Sequence, residues 1–257
     1  MSEEFKPFIE KTIKMLPKEA KLLWLSFTGS RTFGWGLKNF DYDIHGVFYY
    51  PDWFDYVHYG GNVGGKGLDL NLHNLDHVLY MSFYHPSFET MVNLSNPVYV
   101  SDKRIYELFE KYILSNINEL FFWRSMVDNQ LNWLRGYFHP RTALHTYRVI
   151  LQPIYFMKYR RIKHNIFEIN EELGLGLKGI YICRDLYNEH KRGDKEVEKL
   201  VWDEINRLLE IYNEVVHNKA YSSATNWRDS AYREWYEKAK KIIDQFMEEF
   251  KKIIGEA

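Results

Sequence analysis

Hydrophobic and polar residues form short, strand-like patterns in the first hundred residues. Residues 22–27 form a short apolar run, 44–50 form a second run rich in β-branched and aromatic side chains, and 68–72 alternates with period two. A last short strand is predicted at 97–100. Five of the eight residues over 60–67 are glycine, which predicts a loop there.

Helical spacing of apolar residues takes over after residue 100. Pro153 is expected to interrupt one of these helices, and the glycines at 173–176 to form a bend before the next. The sequence therefore predicts an α+β protein, with a small α/β domain over 1–100 and a helical domain over 101–257. Helices are predicted at 4–17, 75–84, 86–94, 101–113, 117–134, 143–162, 177–190, 195–216 and 229–253.

The candidate catalytic residues lie at the end of the first predicted strand and at the start of the second. Gly29-Ser30 follows the first strand, and a strand that turns into a helix there would direct backbone N–H groups at an anion. Asp41 and Asp43 are two residues apart at the start of the second strand, so both carboxylates share one face. Two such carboxylates repel each other unless a cation joins them, and Mg²⁺ prefers oxygen ligands. Asp69 is positioned to supply a third carboxylate.

This order of residues resembles the DNA polymerase beta-like nucleotidyltransferase superfamily. More narrowly, the segment GSRTFGWGLKNFDYDIHGVF is similar to a predicted nucleotidyltransferase family that some genomes place beside RNA-repair genes. The resemblance covers roughly residues 20–100, and it extends weakly to His145 and Arg148 in the helical part. It implies a small mixed-sheet domain of the polymerase beta-like palm type, followed by an all-helical domain.

The resemblance also implies residue roles. Gly29 and Ser30 are expected to hold the β- and γ-phosphates of a nucleoside triphosphate, and Arg31 to contact phosphate. Asp41 and Asp43 are expected to coordinate two Mg²⁺ ions, which Mn²⁺ can replace. Asp69 is expected to bind the second metal and to help activate an acceptor hydroxyl, so that a nucleoside monophosphate is transferred and pyrophosphate leaves.

Three positions depart from the pattern of the resembling family. Phe40 stands where its members carry serine, His45 where they carry arginine, and His85 where they carry asparagine before Pro86. None of these changes removes a carboxylate, so catalysis stays the favoured prediction and the choice of nucleotide stays open.

Several features of the helical part have alternative interpretations. His145 and Arg148 lie one turn apart, and they either bind substrate or make structural hydrogen bonds. The basic run 158–164 either contacts RNA or forms a solvated helix face. Arg184 and His190 fit the Arg-x(4–6)-His spacing of helical RNases, although chance produces such matches. Apolar packing is expected for Cys183 and for the aromatic residues at helical spacing, 121–123 and Trp133.

Composition narrows the function classes. With 34 basic and 35 acidic residues the chain has a net charge of −1, which argues against a strongly basic nucleic-acid scaffold. A single cysteine excludes an internal disulfide, and the first sixteen residues lack the apolar run of a signal peptide, so a cytoplasmic protein without a membrane partner is expected. The favoured partners are a nucleoside triphosphate and a hydroxyl acceptor (RNA, protein or small molecule), and a homodimer stays open. The alternatives are a degenerate nucleotide- or RNA-binding module and an antitoxin-like partner of a helical RNase.

Overall fold

The computed structural model describes residues 3–36, 41–51, 56–63, 65–83, 92–114, 124–215 and 230–255. Within them the chain forms five strands and a series of helices, so the α+β class predicted from the sequence is confirmed. None of the described helices combines the length and apolar character that a membrane span requires. Phe40, His85, the segment 86–91 and the aromatic residues 121–123 lie outside the described residues.

The strands form one mixed sheet. They are β1 (Lys21–Thr28), β2 (Tyr42–Tyr49), β3 (Tyr56–Val63), β4 (Lys66–Asn74) and β5 (Pro97–Val100), in the spatial order β3-β4-β2-β1-β5. β2 and β4 are parallel, and the other neighbouring pairs are antiparallel. Residues 60–67 were predicted as a loop, but most of them belong to β3 and β4, which form a hairpin.

The helices follow in chain order. They are α1 (Lys6–Met15), α2 (Gly29–Thr32), α3 (Leu75–Phe83), α4 (Lys103–Phe109, continued by a π-helical turn Glu110–Leu114), α5 (Arg124–Gly136), α6 (Pro140–Tyr159), α7 (Ile166–Leu173), α8 (Gly179–Asn188), α9 (Lys195–Val215) and α10 (Ser230–Ile254). Pro153 lies inside α6 without interrupting it, contrary to the prediction. Helix α6 has Pro140 in its first turn, and after Tyr159 it is capped by Arg160 in the left-handed conformation; both features are common at helix ends.

The chain divides into two compact units that are discontinuous in sequence. The first comprises Met1–Gly29, Asn39–Asn118 and Ser223–Ala257, and the second comprises Ser30–Lys38 and Glu119–Ser222. All five described strands lie before the boundary predicted at residue 100, whereas the first compact unit also contains α4 and α10 from beyond it.

The sheet of the first unit buries apolar residues on both faces. On one face, alternate residues of β2 and β4, such as Ile44 and Leu70, pack in a cluster with Phe8 and Ile9 of α1. On the other face, Trp24 of β1 contacts the rings of Tyr106 and Phe109 of α4. The ring of Tyr49 on β2 contacts Phe250 of α10. These aromatic contacts explain why α4 and α10 belong to the unit that contains the sheet.

The second unit is organised around α6. This twenty-residue helix is buried along most of its length, because α5, α7, α8 and α9 pack around it. A buried carboxylate, Glu204 of α9, fixes the start of α8: it accepts hydrogen bonds from the backbone N–H groups of Lys178 and Gly179 and from the hydroxyl of Tyr147. Burial and this carboxylate raise the pKa of Tyr147.

Candidate functional site

The parallel pairing of β2 and β4 brings two of the predicted acids side by side. Asp43 is the register partner of Asp69, and neighbouring strands lie only about 4.8 Å apart. Both residues are half-buried and alternate with the core residues Ile44 and Leu70, so both lie on the sheet face opposite the α1 cluster. Asp69 is therefore on the same side of the sheet as Asp43.

Glycines lie beneath the carboxylates of Asp41 and Asp43. A Cβ atom on Gly29 would come within 2.6 Å of the Cβ of Asp43 and closer still to its carboxylate. Asp41, which directly precedes β2, places its carboxylate over Gly67 of β4 in the same way. Gly29 also has φ +77°, a left-handed conformation that favours glycine. The glycines at 29 and 67 thus leave the space that the two carboxylates occupy.

Asp69 has two polar neighbours that the sequence analysis did not select. Nε2 of His58, on β3, lies 2.9 Å from Oδ1 of Asp69, and Nδ2 of Asn71 donates to the same oxygen at 3.3 Å. Nδ2 of Asn71 is also 3.5 Å from Nε2 of His45 on β2. Strand alternation would have found Asn71, two residues from Asp69. His58 could not be found, because β3 was not predicted.

A row of histidines continues along the same strands and onto α3. The ring of His73 stacks between His45 and His77, with centroid distances of 5.7 and 5.5 Å. Burial, together with the positive charge that His45 and His77 would carry, lowers the pKa of His73 to about 3. His73 is therefore neutral at physiological pH.

The donor atoms of this site decide which metal ion it can hold. Among the described residues, no three His, Cys, Asp or Glu side chains are arranged to hold one metal ion together. Mg²⁺, however, commonly uses only one or two protein carboxylates and takes its other ligands from phosphate and water. Asp43 and Asp69, in register on adjacent strands, fit that smaller donor set.

The segment after Gly29 belongs to the second compact unit. The carbonyl of Ser30 accepts hydrogen bonds from the N–H groups of Trp35 and Gly36, at 3.0 and 2.9 Å. The carbonyl of Arg31 accepts one from Gly34 at 3.3 Å. Ser30 and Arg31 are half-buried and belong to the four-residue helix α2, so the predicted turn into a short helix is present.

His145 and Arg148 of α6 contact this same segment. The guanidinium of Arg148 lies 4.6 Å from the ring centroid of Phe33, and the ring of His145 meets that of Trp35 edge-on at 5.3 Å. Burial, with smaller effects of Arg148 and Arg141, lowers the pKa of His145 to about 3. These contacts show how the two residues support the segment after Ser30, while their predicted substrate binding stays a prediction.

The remaining candidates of the helical part make local contacts. Arg184 pairs with Asp185 and lies over the rings of Phe167 and Tyr181, and His190 is exposed beyond the end of α8. Cys183 is buried, and burial raises the pKa of its thiol to about 12, which agrees with apolar packing.

Two of the predictions for the helical part need correction or refinement. Trp133 was expected in the core, but its side chain is 70% exposed, and the buried residues of this part of α5 are its neighbours Leu131 and Leu134. In the basic run 158–164, Arg161 pairs with Glu172, and Lys163 pairs with both Glu168 and Glu172. Two of its cations are therefore already neutralised by neighbouring carboxylates.

The chain was compared with known proteins. No protein-family model matches it, and no curated protein is significantly similar. Among solved structures, it is similar to a nucleotidyltransferase-like protein from Exiguobacterium sibiricum 255-15, with 11% identity and a TM-score of 0.32 over 82% of this chain and 74% of the other. A similarity this low carries no argument about the chemistry of this chain.

Proposed function

We propose that the protein is a metal-dependent nucleotidyltransferase, which moves a nucleoside monophosphate from a nucleoside triphosphate to an acceptor hydroxyl. The observation that carries this proposal is the in-register pairing of Asp43 with Asp69 on adjacent parallel strands, on one half-exposed sheet face. The carboxylate of Asp41, directly before the same strand, adds negative charge at that end of β2. Surfaces this rich in carboxylates favour divalent cations bound to polyphosphate.

Asp41, Asp43 and Asp69 are the residues that would hold Mg²⁺ or Mn²⁺. Bound there, two ions would supply positive charge to the attacking and leaving oxygens of an in-line displacement. In the reaction, the acceptor oxygen forms a bond to the α-phosphorus, the bond to the α–β bridging oxygen breaks, and pyrophosphate leaves. Asp69 accepts the proton of the acceptor hydroxyl. His58 and Asn71 orient the Asp69 carboxylate for this role through its Oδ1 atom.

The nucleotide-binding part of the proposal rests on the segment that begins at Gly29. We assign the triphosphate to Gly29, Ser30 and Arg31, as the resemblance implies, and the left-handed conformation of Gly29 supports a tight turn there. His145 and Arg148 support the segment after Ser30 from α6, and we retain them as candidate substrate-binding residues. A cytoplasmic location, an RNA acceptor and the RNA-repair type also belong to the proposal.

Transfer of label from triphosphates tests the function. The purified protein is incubated with each α-³²P nucleoside triphosphate, Mg²⁺ or Mn²⁺, and RNA, protein or small-molecule acceptors. We expect label on one acceptor class and release of pyrophosphate, both lost in EDTA. Asp43→Asn should lower transfer by orders of magnitude, whereas Asp244→Asn, an exposed acid on α10, should not. Transfer that persists in Asp43→Asn would refute the assigned site.

The second candidate is a nucleotide-binding module that has lost turnover. It is favoured by the hydrogen bonds of Asp69 to His58 and Asn71, which already occupy one carboxylate oxygen. The same preparation distinguishes the two functions. Saturable triphosphate binding that depends on Asp43, without label transfer to any acceptor, would support the binding module and exclude the enzyme.

A further inference from the structure

The second unit exposes aromatic rings beside positive charge. Trp133 and Tyr137, one helical turn apart at the end of α5, are 70% and 51% exposed. The ring of His139 lies nearly parallel to that of Tyr137, at 22° and 6.2 Å between centroids. Together with Arg141 and Arg192, these residues are called the aromatic–basic patch below.

Both cationic residues of the patch lie next to one of its rings, Arg192 at Tyr137 and Arg141 at His139. The guanidinium of Arg192 lies 5.4 Å from the ring centroid of Tyr137. The backbone N–H of Arg141 donates to Nδ1 of His139 at 3.2 Å, which places Arg141 next to that ring. Burial of the imidazole, and then the charges of Arg192 and Arg141, lower the pKa of His139. Both arginines are exposed.

In the part of the chain that the structure describes, no carboxylate compensates the charge of these two arginines. Within the described residues, neither Arg141 nor Arg192 forms an ion pair with a carboxylate. The nearby Asp194 instead accepts hydrogen bonds from the backbone N–H groups of Glu196 and Val197 at the start of α9. In the basic run 158–164, by contrast, Arg161 and Lys163 are paired with carboxylates. The patch is therefore the more favourable site for an anionic ligand, although the sequence is less basic there.

We propose that the aromatic–basic patch binds single-stranded nucleic acid, with bases stacked on Trp133 and Tyr137 and backbone phosphates held by Arg141 and Arg192. Exposed aromatic rings accept any base by stacking, and unpaired arginines beside them attract the phosphate backbone. A base paired in a duplex does not offer its face to such rings. The proposal goes beyond the transfer reaction, and it does not depend on it.

Binding of labelled oligonucleotides tests the proposal without triphosphate or metal. Fluorescence anisotropy is measured with (rU)12, (dT)12 and a duplex of the same length, at several salt concentrations. We expect both single strands to bind more tightly than the duplex. Trp133→Ala should raise Kd by about five- to a hundredfold, as expected for one lost stacking contact. Trp133→Phe should restore most of the affinity.

Charge removal gives a second readout. The double variant Arg141→Gln/Arg192→Gln should flatten the slope of log Kd against log salt by about 1.4, which corresponds to two lost phosphate contacts to a single strand. Tyr159→Ala and Arg161→Gln, in the compensated basic run, serve as matched controls and should leave Kd within twofold. Asp43→Asn should also bind normally, so failure of the transfer reaction is distinguishable from failure of this proposal.

Three results would overturn the proposal. One is duplex binding as tight as that of the single strands. Another is an equal loss of affinity in the control variants and in Trp133→Ala. The third is a Trp133-dependent dimer in sedimentation analysis that binds none of the oligonucleotides, because the exposed rings would then cover a second copy of the chain.

Discussion

Replacing Gly29 with alanine perturbs the candidate site without changing any of its acids. Gly29 has φ +77°, and a Cβ atom there would lie 2.6 Å from the Cβ of Asp43, closer than such atoms approach in proteins. The overlap involves the base of the Asp43 side chain as well as its carboxylate, so rotation of χ1 alone cannot relieve it. Either β2 or the turn at Gly29 must shift.

The expected loss of stability has two parts. A residue other than glycine in the left-handed region costs about 1–2 kcal/mol. Steric overlap that forces a backbone shift adds about 1–3 kcal/mol. The sum is about 2–5 kcal/mol, and a loss of about 3 kcal/mol would lower Tm by roughly 6–12 °C in a chain of this size. The displaced Asp43 carboxylate should also abolish any metal-dependent transfer.

Gly65→Ala is the matched control, because Gly65 has φ +80° but no atom within 4 Å of its Cβ position. Urea unfolding of both variants separates the two terms: Gly65→Ala should lose only the backbone part, so Gly29→Ala should be less stable by about 1–3 kcal/mol. In a double-mutant cycle, Asp43→Gly should recover that difference. Equal destabilisation of the two alanine variants, or no coupling between positions 29 and 43, would refute the reasoning.

Two further predictions concern buried ionisable groups. Glu204→Ala leaves the N–H groups of Lys178 and Gly179 and the hydroxyl of Tyr147 without their acceptor. Urea unfolding should therefore show that the free energy of unfolding falls by about 3–5 kcal/mol, whereas the control Glu210→Ala, an exposed residue on the same helix, should lower it by at most about 0.5 kcal/mol. The pKa of His145 is lowered to about 3, so below pH 6.5 the unfolded chain binds a proton that the folded chain excludes. Stability should therefore fall by about 1.6 kcal/mol between pH 6.5 and 5 for this residue alone. His145→Gln should show a correspondingly shallower decline with pH, and an unchanged slope would contradict the assignment.

Much of the sheet could be predicted from local pattern. β1, β2 and β4 bury alternate or continuous apolar residues, and such patterns are readable from the sequence because each strand contributes one or both of its faces to a core. β3 was missed because glycines at 60 and 61 resemble a loop, whereas the structure pairs them with Asp69 and Leu68. Whether such a segment forms a strand depends on its hydrogen-bonding partners in the sheet, and local sequence does not show these partners.

The continuous helix through Pro153 has a similar explanation. A proline removes one backbone hydrogen bond and disfavours the helix interior. Helix α6 is nevertheless buried against several other helices, so tertiary packing outweighs the local penalty. Local propensity alone therefore predicted a break that packing prevents.

The candidate site could be predicted in part. Side chains alternate between the two faces of a strand, and this alternation along β2 and β4 places Asp43, Asp69 and Asn71 on one face. Strand alternation does not show which strand is the neighbour of β4, and His58 contacts Asp69 from that neighbour, β3. The parallel register that aligns Asp43 with Asp69 is likewise a property of the assembled sheet.

The sequence also does not show which basic residues are paired with carboxylates, and this decides where an anionic ligand binds. The run 158–164 is the densest basic segment, yet Glu172, eight or more residues further along the chain, contacts both Arg161 and Lys163. Arg141 is only two residues from His139, whereas Arg192 is fifty-one positions further along the chain, and the fold brings its guanidinium to 5.4 Å from the ring centroid of the exposed Tyr137. An anionic ligand binds more strongly to cations that have no carboxylate partner, because a paired cation must first break its ion pair. An anionic ligand should therefore select the aromatic–basic patch over the basic run, and the Arg141→Gln/Arg192→Gln variant compared with Arg161→Gln measures that preference directly.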